Sequence, residues 1–324
     1  MPENLYRGRR AYQIENESLR LTVLVEGGHI AEILHKPTGV NPLWTPPWPS
    51  IEPSTYSLAT HPEYGADSES KLLSGIMGHN LCVDLFGPPS AEEAAAGLTV
   101  HGEASVAAYD IEASGSKLLQ KARLPWAGLA VERRIVLDGT SVRIVESVEN
   151  LLPYDRPIAW TEHVTLGPPF LEKGSTQFRA TATKSRTPED SSAVEDIHAF
   201  PSAAASEAFT TYLMDEAKER SWFLAWSPNA KLLFGYEWRR ADFPWLGIWE
   251  ENYSRQSAPW NGETLTRGME FGASPFAETR RQMIDRNALF GIPTYRWLPA
   301  GTRATVEYSA FLTEAGLIPE ELVI

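Results

Sequence analysis

Thiols, positive charge and long apolar runs are all scarce in this sequence, and each shortage closes off a class of protein. Cys82 is the only cysteine, so no intramolecular disulfide and no cysteine-based zinc cluster can form. It lies in an apolar stretch without a basic neighbour, and no G-x-S-x-G occurs, which leaves nucleophilic catalysis without a recognisable seat. Lys and Arg number 29 against 42 Asp and Glu, a net charge of −13. That balance is repelled by nucleic acid and by anionic membrane, and neither is expected as a partner. No run of about 18 apolar residues is present to span a bilayer. The opening MPENLYRGRR lacks the apolar core of a secretory signal, so a cytoplasmic setting is expected.

Tryptophan, by contrast, is abundant. Of the 11 in the chain, Trp222, Trp226, Trp238, Trp245, Trp249 and Trp260 fall within one short stretch. Trp44 and Trp48 sit in a second, the proline-rich WTPPWPSIEP, which must be a loop because proline cannot donate to a ladder. Most large aromatics are core. A dense group beside glycines and prolines also suits a sugar, whose flat apolar face packs on an indole.

The dominant pattern is period two. Residues 11–35, 98–106, 129–148, 221–237, 245–250, 263–271 and 303–312 read as strands, separated by glycine, proline and Asp-Gly turns. Only 91–96, after the S-x-x-E box of Ser90 and Glu93, reads as a short helix. Residues 183–207 are rich in Ser, Thr, Pro, Ala and Glu and read as a loop without its own core. There is no repeat and no dividing linker. The expectation is one all-β domain over 1–324, a sandwich or barrel.

The strand at 158–171 organises the chain. Ile158, Trp160, Val164 and Leu166 share one face, while Ala159, Thr161, His163 and Thr165 share the other. Two further polar stretches accompany it. VHGEAS is expected to carry His101 and Glu103 on one strand face. In TRGMEFGASPF, Gly268 and Gly272 flank Glu270 on its own face and clear space around it for a ligand or another backbone. An ordinary structural carboxylate at Glu270 would be satisfied by Arg267 or Arg280. A neutral His and a Glu can exchange protons near neutrality. Placed on either side of a sugar's anomeric carbon, they would open and reclose the ring, and this reaction needs no metal and no cofactor.

A long all-β chain with an early Gly-Gly-x-Ile strand, a mid-chain His-Gly, a later strand histidine and a Glu near the C-terminus resembles the galactose mutarotase-like, or aldose 1-epimerase, superfamily. The resemblance implies a β-supersandwich with few short helices and a small-molecule sugar as substrate. It further implies His163 as general acid, Glu270 as general base and His101 as a sugar-binding residue. The chain departs from that family around His163, where Glu162 precedes it and Gly167-Pro168-Pro169 follow. The family's upstream Asn-Arg pair is also missing, with His79 and Asn80 standing roughly in its place. His79, Asn80, Arg267, Trp249, Asn252 and Trp260 complete the candidate sugar contacts.

A metal centre built from His79, Asp84, His101, His163 and Glu270 is disfavoured, because no two histidines have a tight ligand spacing. His29 and His35 are read as surface residues. The competing function on the same fold is a carbohydrate-binding or sensing protein without turnover.

Overall fold

Most of the period-two stretches form strand, and the strands assemble into two large antiparallel sheets whose apolar faces meet, beside a two-stranded ribbon of Ala288–Leu289 and Ile292–Pro293. The computed structural model describes residues 4–187, 197 and 205–322. The larger sheet runs Asn4–Tyr6, Arg9–Glu15, Leu19–Leu24, Ile30–His35, His79–Asp84, Arg156–Leu166, Leu265–Gly272, Trp245–Asn252, Ser206–Met214 and Ala182–Arg186. Arg296–Leu298 adds a short strand beside Arg156–Leu166. The smaller sheet runs Gln177–Ala180, Arg220–Ser227, Leu232–Arg239, Arg303–Glu314, Ser141–Asn150, Leu129–Asp138, Lys117–Leu124 and Asp110–Ser114. The fold is thus all-β with few short helices, as the alternation leads one to expect.

The strand Arg156–Leu166 lies in the middle of the larger sheet, between His79–Asp84 and Leu265–Gly272. Its face of Ile158, Trp160, Val164 and Leu166 enters one contiguous apolar core with Ile135, Ile144, Phe234 and Phe271. The other face looks away from the smaller sheet. Loops and two short helices, Ser70–Leu73 and Arg280–Arg286, roof it. Arg9 anchors the roof: its buried guanidinium donates to Glu52, to the Gly75 carbonyl and to the Glu26 carbonyl.

Several expectations are corrected. Residues 98–106 form a turn and the single-turn helix Glu103–Ser105 instead of a strand. His101 (φ +66°) and Gly102 (φ +78°) are consecutive left-handed positions that no extended strand accommodates. Gly102 is required there, since a Cβ would meet the Val83 carbonyl oxygen at 2.3 Å. The Glu103 carboxylate does not face a site; it accepts the backbone N–H groups of Trp126 and Ala127. His29 and His35 are buried, His29 against the Ser105 carbonyl and His35 against Thr38. The expected loop at 183–207 begins and ends in strand, Ala182–Arg186 and Ser206–Met214, while 188–196 and 198–204 lie outside the described residues. The helix Ala91–Ala95 forms with the reciprocal Ser90–Glu93 capping box. Among the described residues no helix is long and apolar enough to cross a membrane.

Between the sheets the apolar core is interrupted by a buried ionic cluster. Arg133 of the smaller sheet donates to Glu146 and, across the interface, to Glu162 at 3.0 Å. The same Glu162 oxygen accepts from Tyr308 and from His79 Nε2, each at 2.8 Å, and Trp160 Nε1 donates to Glu146. His79 therefore packs in the core, with its Nδ1 on the Tyr236 hydroxyl. Removing one partner of a buried pair strands the other charge and costs about 3–5 kcal/mol. Arg133→Ala is accordingly expected to lower stability by that amount in urea titration. Adding Glu146→Gln should recover part of the loss; a variant as stable as wild type would show that the cluster does not hold the sheets.

Candidate functional site

Strand register sets the floor of the site. Asn80, His163, Glu270, Gly247 and Thr211 lie in one row across five neighbouring strands of the larger sheet. Since alternate residues of a strand share a face, His163 and Glu270 both point away from the core. His163 Nε2 lies 3.0 Å from Glu270 Oε1, both side chains nearly inaccessible. The contact is poorly aligned for a hydrogen bond, and Glu270 Oε1 has no other partner among the described residues. Gly268 makes room for this carboxylate: a Cβ there would stand 2.3 Å from Oε1. Arg280 grips Asp84 and Glu93 instead of Glu270.

On its far side the His163 ring meets Thr165, with Nδ1 at 2.9 Å from Oγ1. Above it lies His101, ring centroids 4.7 Å apart. His101 Nδ1 donates to the Phe86 carbonyl at 2.7 Å, which leaves Nε2 as an acceptor in the neutral ring. Although an edge of His101 stays open, burial of the ring lowers its pKa to about 4. Burial, and next the neighbouring His101, hold His163 well below the usual imidazole value. Burial alone holds Glu270 well above the usual carboxyl value. All three groups thus favour their uncharged forms.

These residues line a cavity of about 600 Å³. Trp249 and Trp260 also line it, Trp249 6.2 Å from the His163 ring and 6.0 Å from Trp260. Trp44 joins them, its ring parallel to that of Trp260. Three expected contacts are elsewhere. His79 faces the core cluster. Arg267 points the same way, over the Phe178 ring and 2.9 Å from Glu250. Asn252 is fully buried near Ser206, on the opposite strand face from Trp249. Asn80 shares the floor row but is covered, and its amide has no partner among the described residues. His163 and Glu270 stand side by side on adjacent strands of one sheet.

Sequence reasoning missed several lining residues: Glu69, Glu207, Phe209, Arg255 and Phe276. Arg255 stacks on Trp260 at 4.8 Å and pairs with Glu69 and Glu207. Arg255 comes from an irregular segment after strand Trp245–Asn252 and Glu69 from a turn ahead of helix Ser70–Leu73, where no periodicity marks a side chain's direction. Phe209 was readable in principle, being paired with Trp249 on the neighbouring strand. Among the described residues no three His, Cys, Asp or Glu side chains converge as metal ligands.

Comparison with known folds agrees with this architecture. A Klebsiella pneumoniae protein carrying a provisional aldose 1-epimerase assignment superposes with a TM-score of 0.68 at 14% identity, over 95% of this chain and 80% of that one. A galactose mutarotase-like protein from Clostridium acetobutylicum gives 0.63 at 13% identity, over 97% and 98%. An Escherichia coli K12 protein with the same provisional aldose 1-epimerase assignment gives 0.61 at 14%, over 94% and 99%. At such identities the likeness is one of fold. The sequence matches none of the curated proteins. Residues 7–259 match the family model described as a domain of unknown function, DUF4432. The chain belongs to that family, and it carries the galactose mutarotase-like fold.

Proposed function

We propose that the protein interconverts the α and β anomers of a free sugar by acid/base ring opening. The observation that carries this reading is the 3.0 Å approach of His163 Nε2 to Glu270 Oε1 at the floor of a cavity. The hydroxyl oxygen and the ring oxygen of a cyclic sugar are bonded to the same carbon, C1. Two adjacent proton carriers can therefore serve both oxygens from one side. With burial favouring a protonated Glu270 and a neutral His163, the cycle starts from those forms.

His163 takes the proton of the C1 hydroxyl as Glu270 gives its own to the ring oxygen, and the bond between C1 and that oxygen breaks. An open aldehyde, an imidazolium and a carboxylate result. Rotation about the C1–C2 bond presents the other face of the carbonyl. The C5 hydroxyl then returns its proton to Glu270 while its oxygen attacks C1, and the imidazolium protonates the new C1 oxygen. The family resemblance implies the opposite assignment, His163 as acid and Glu270 as base, which would start from the pair after the Glu270 proton has passed to His163. Trp249 supplies a ring face beside the reacting centre, and the acceptor Nε2 of His101 suits a sugar hydroxyl.

Removing a positioned acid or base costs about 10²–10⁴ in rate. His163→Ala and Glu270→Gln are each expected to slow anomer exchange at least about a hundredfold, measured by NMR saturation transfer on a panel of aldoses. Wild-type exchange in either folded variant would remove that residue from the mechanism. A wild-type protein that binds sugars without accelerating exchange would favour the binding-protein alternative.

The same burial predicts a stability signature. The folded pKa of Glu270 lies above the 4.5 of an ordinary glutamate. Between those values the folded state holds the proton more tightly than the unfolded state, so stability falls as pH rises through that window. Glu270→Gln removes the titration, and its melting temperature at pH 7 should exceed wild type by a margin that shrinks as the pH approaches 4.5. A variant less stable than wild type at pH 7 would contradict this account of the site.

A further inference from the structure

The cavity walls carry information that the floor does not. The charged side chains along them are already paired with one another. Arg255 bridges Glu69 and Glu207, and Arg286 holds Glu278 by three hydrogen bonds. Gln282 is engaged in the capping box of its own helix. Along one wall the lining is apolar: Trp44, Leu72, Ile76, Val100 and Trp260, which pack as one cluster with Trp249 against it. The opposite side presents Phe209 and Phe276.

A bare hexose carries hydroxyls around its whole rim, and each needs a partner when taken out of water. The floor supplies such partners and the apolar wall does not. At about 600 Å³ the cavity also falls within the range of pockets that enclose drug-sized ligands. We infer, resting on the proposed anomer exchange, that the ligand is an uncharged reducing sugar bearing an apolar substituent away from C1. Its sugar ring lies on His163 and Glu270, and its substituent lies along the Trp44, Leu72, Ile76 and Trp260 wall. Charged sugars are refused because the cavity's cations are neutralised by their own carboxylates. A second sugar unit is refused because its hydroxyls would lose water against that wall.

The test compares glucose and galactose with their 4-O-benzyl and 6-O-benzyl ethers, and with maltose and lactose as controls. Affinity is followed by tryptophan fluorescence and turnover by anomer exchange. One methylene in an apolar pocket is worth about 10–200-fold in discrimination. At least one benzyl ether is therefore expected to bind about tenfold or more tighter than its parent sugar, with no comparable gain for either disaccharide. Benzyl ethers that bind no better than the parent sugars, or disaccharides that gain as much, would overturn the inference. Accelerated exchange of the parents without any benzyl gain would overturn it and leave the proposed activity in place. A benzyl gain without exchange would support the ligand class and remove the activity.

Discussion

The structure depends on a charge taken out of water and paired inside the core. Arg133 sits between the sheets with Glu146 and Glu162, and Glu162 also accepts from Tyr308 and His79. Such a cluster contributes little net stability compared with a well-packed apolar equivalent, but it tolerates no misplacement, because any slipped partner leaves a buried ion alone. Its consequence is register. A slip of one residue in strand Arg156–Leu166 would turn Glu162 out of the core and His163 into it. The cluster therefore fixes which face of the central strand carries the imidazole. His163 is placed on the cavity side by what its neighbour does on the other.

The same parity explains what could be read from the sequence. The alternation around His163 shows a strand with one apolar and one polar face, and the core contacts of Ile158, Trp160, Val164 and Leu166 agree with it. Gly268, two residues from Glu270, marks a carboxylate that needs room. Arg267 and Asn252 were legible in the same way: each lies an odd number of residues from the cavity-facing Glu270 or Trp249 on its own strand, and so belongs to the opposite face. His79 follows the same parity: it shares its strand face with Leu81 and Val83 of the core, while Asn80 and Asp84 share the other. The charges at Arg133, Glu146 and Glu162 interrupt otherwise apolar faces, and in retrospect they announce a buried network.

The misreading at residues 98–106 has another origin. Apolar alternation continues through His101, but the run contains Gly102, and two successive left-handed residues turn the backbone into the short helix Glu103–Ser105. Tertiary contact decides the matter. The close approach of Gly102 to Val83 folds the loop over strand His79–Asp84 and brings His101 onto His163. The histidine reaches the cavity as the sequence suggests, but on a loop instead of a strand. Loop residues such as Arg255 and Glu69 are likewise placed by ion pairs and ring stacking that no local period encodes.

Glu162 and His163 are neighbours in the chain, and their two environments treat charge in opposite ways. On the core side Glu162 is matched by a guanidinium, a phenol and an imidazole, so its electrostatic demands are met inside the protein. On the cavity side no cation among the described residues meets Glu270, and burial raises its pKa. The protein could have supplied one, since Arg267 and Arg280 are close in sequence. Strand parity turns Arg267 to the other face, and Asp84 with Glu93 occupies Arg280. A cation beside Glu270 would favour its carboxylate and take away the protonated form from which the proposed ring opening starts. Leaving the pair without a counter-charge destabilises the fold at neutral pH, and it keeps one transferable proton on two adjacent atoms. That asymmetry supports the proposed reading of the cavity floor as a reacting site.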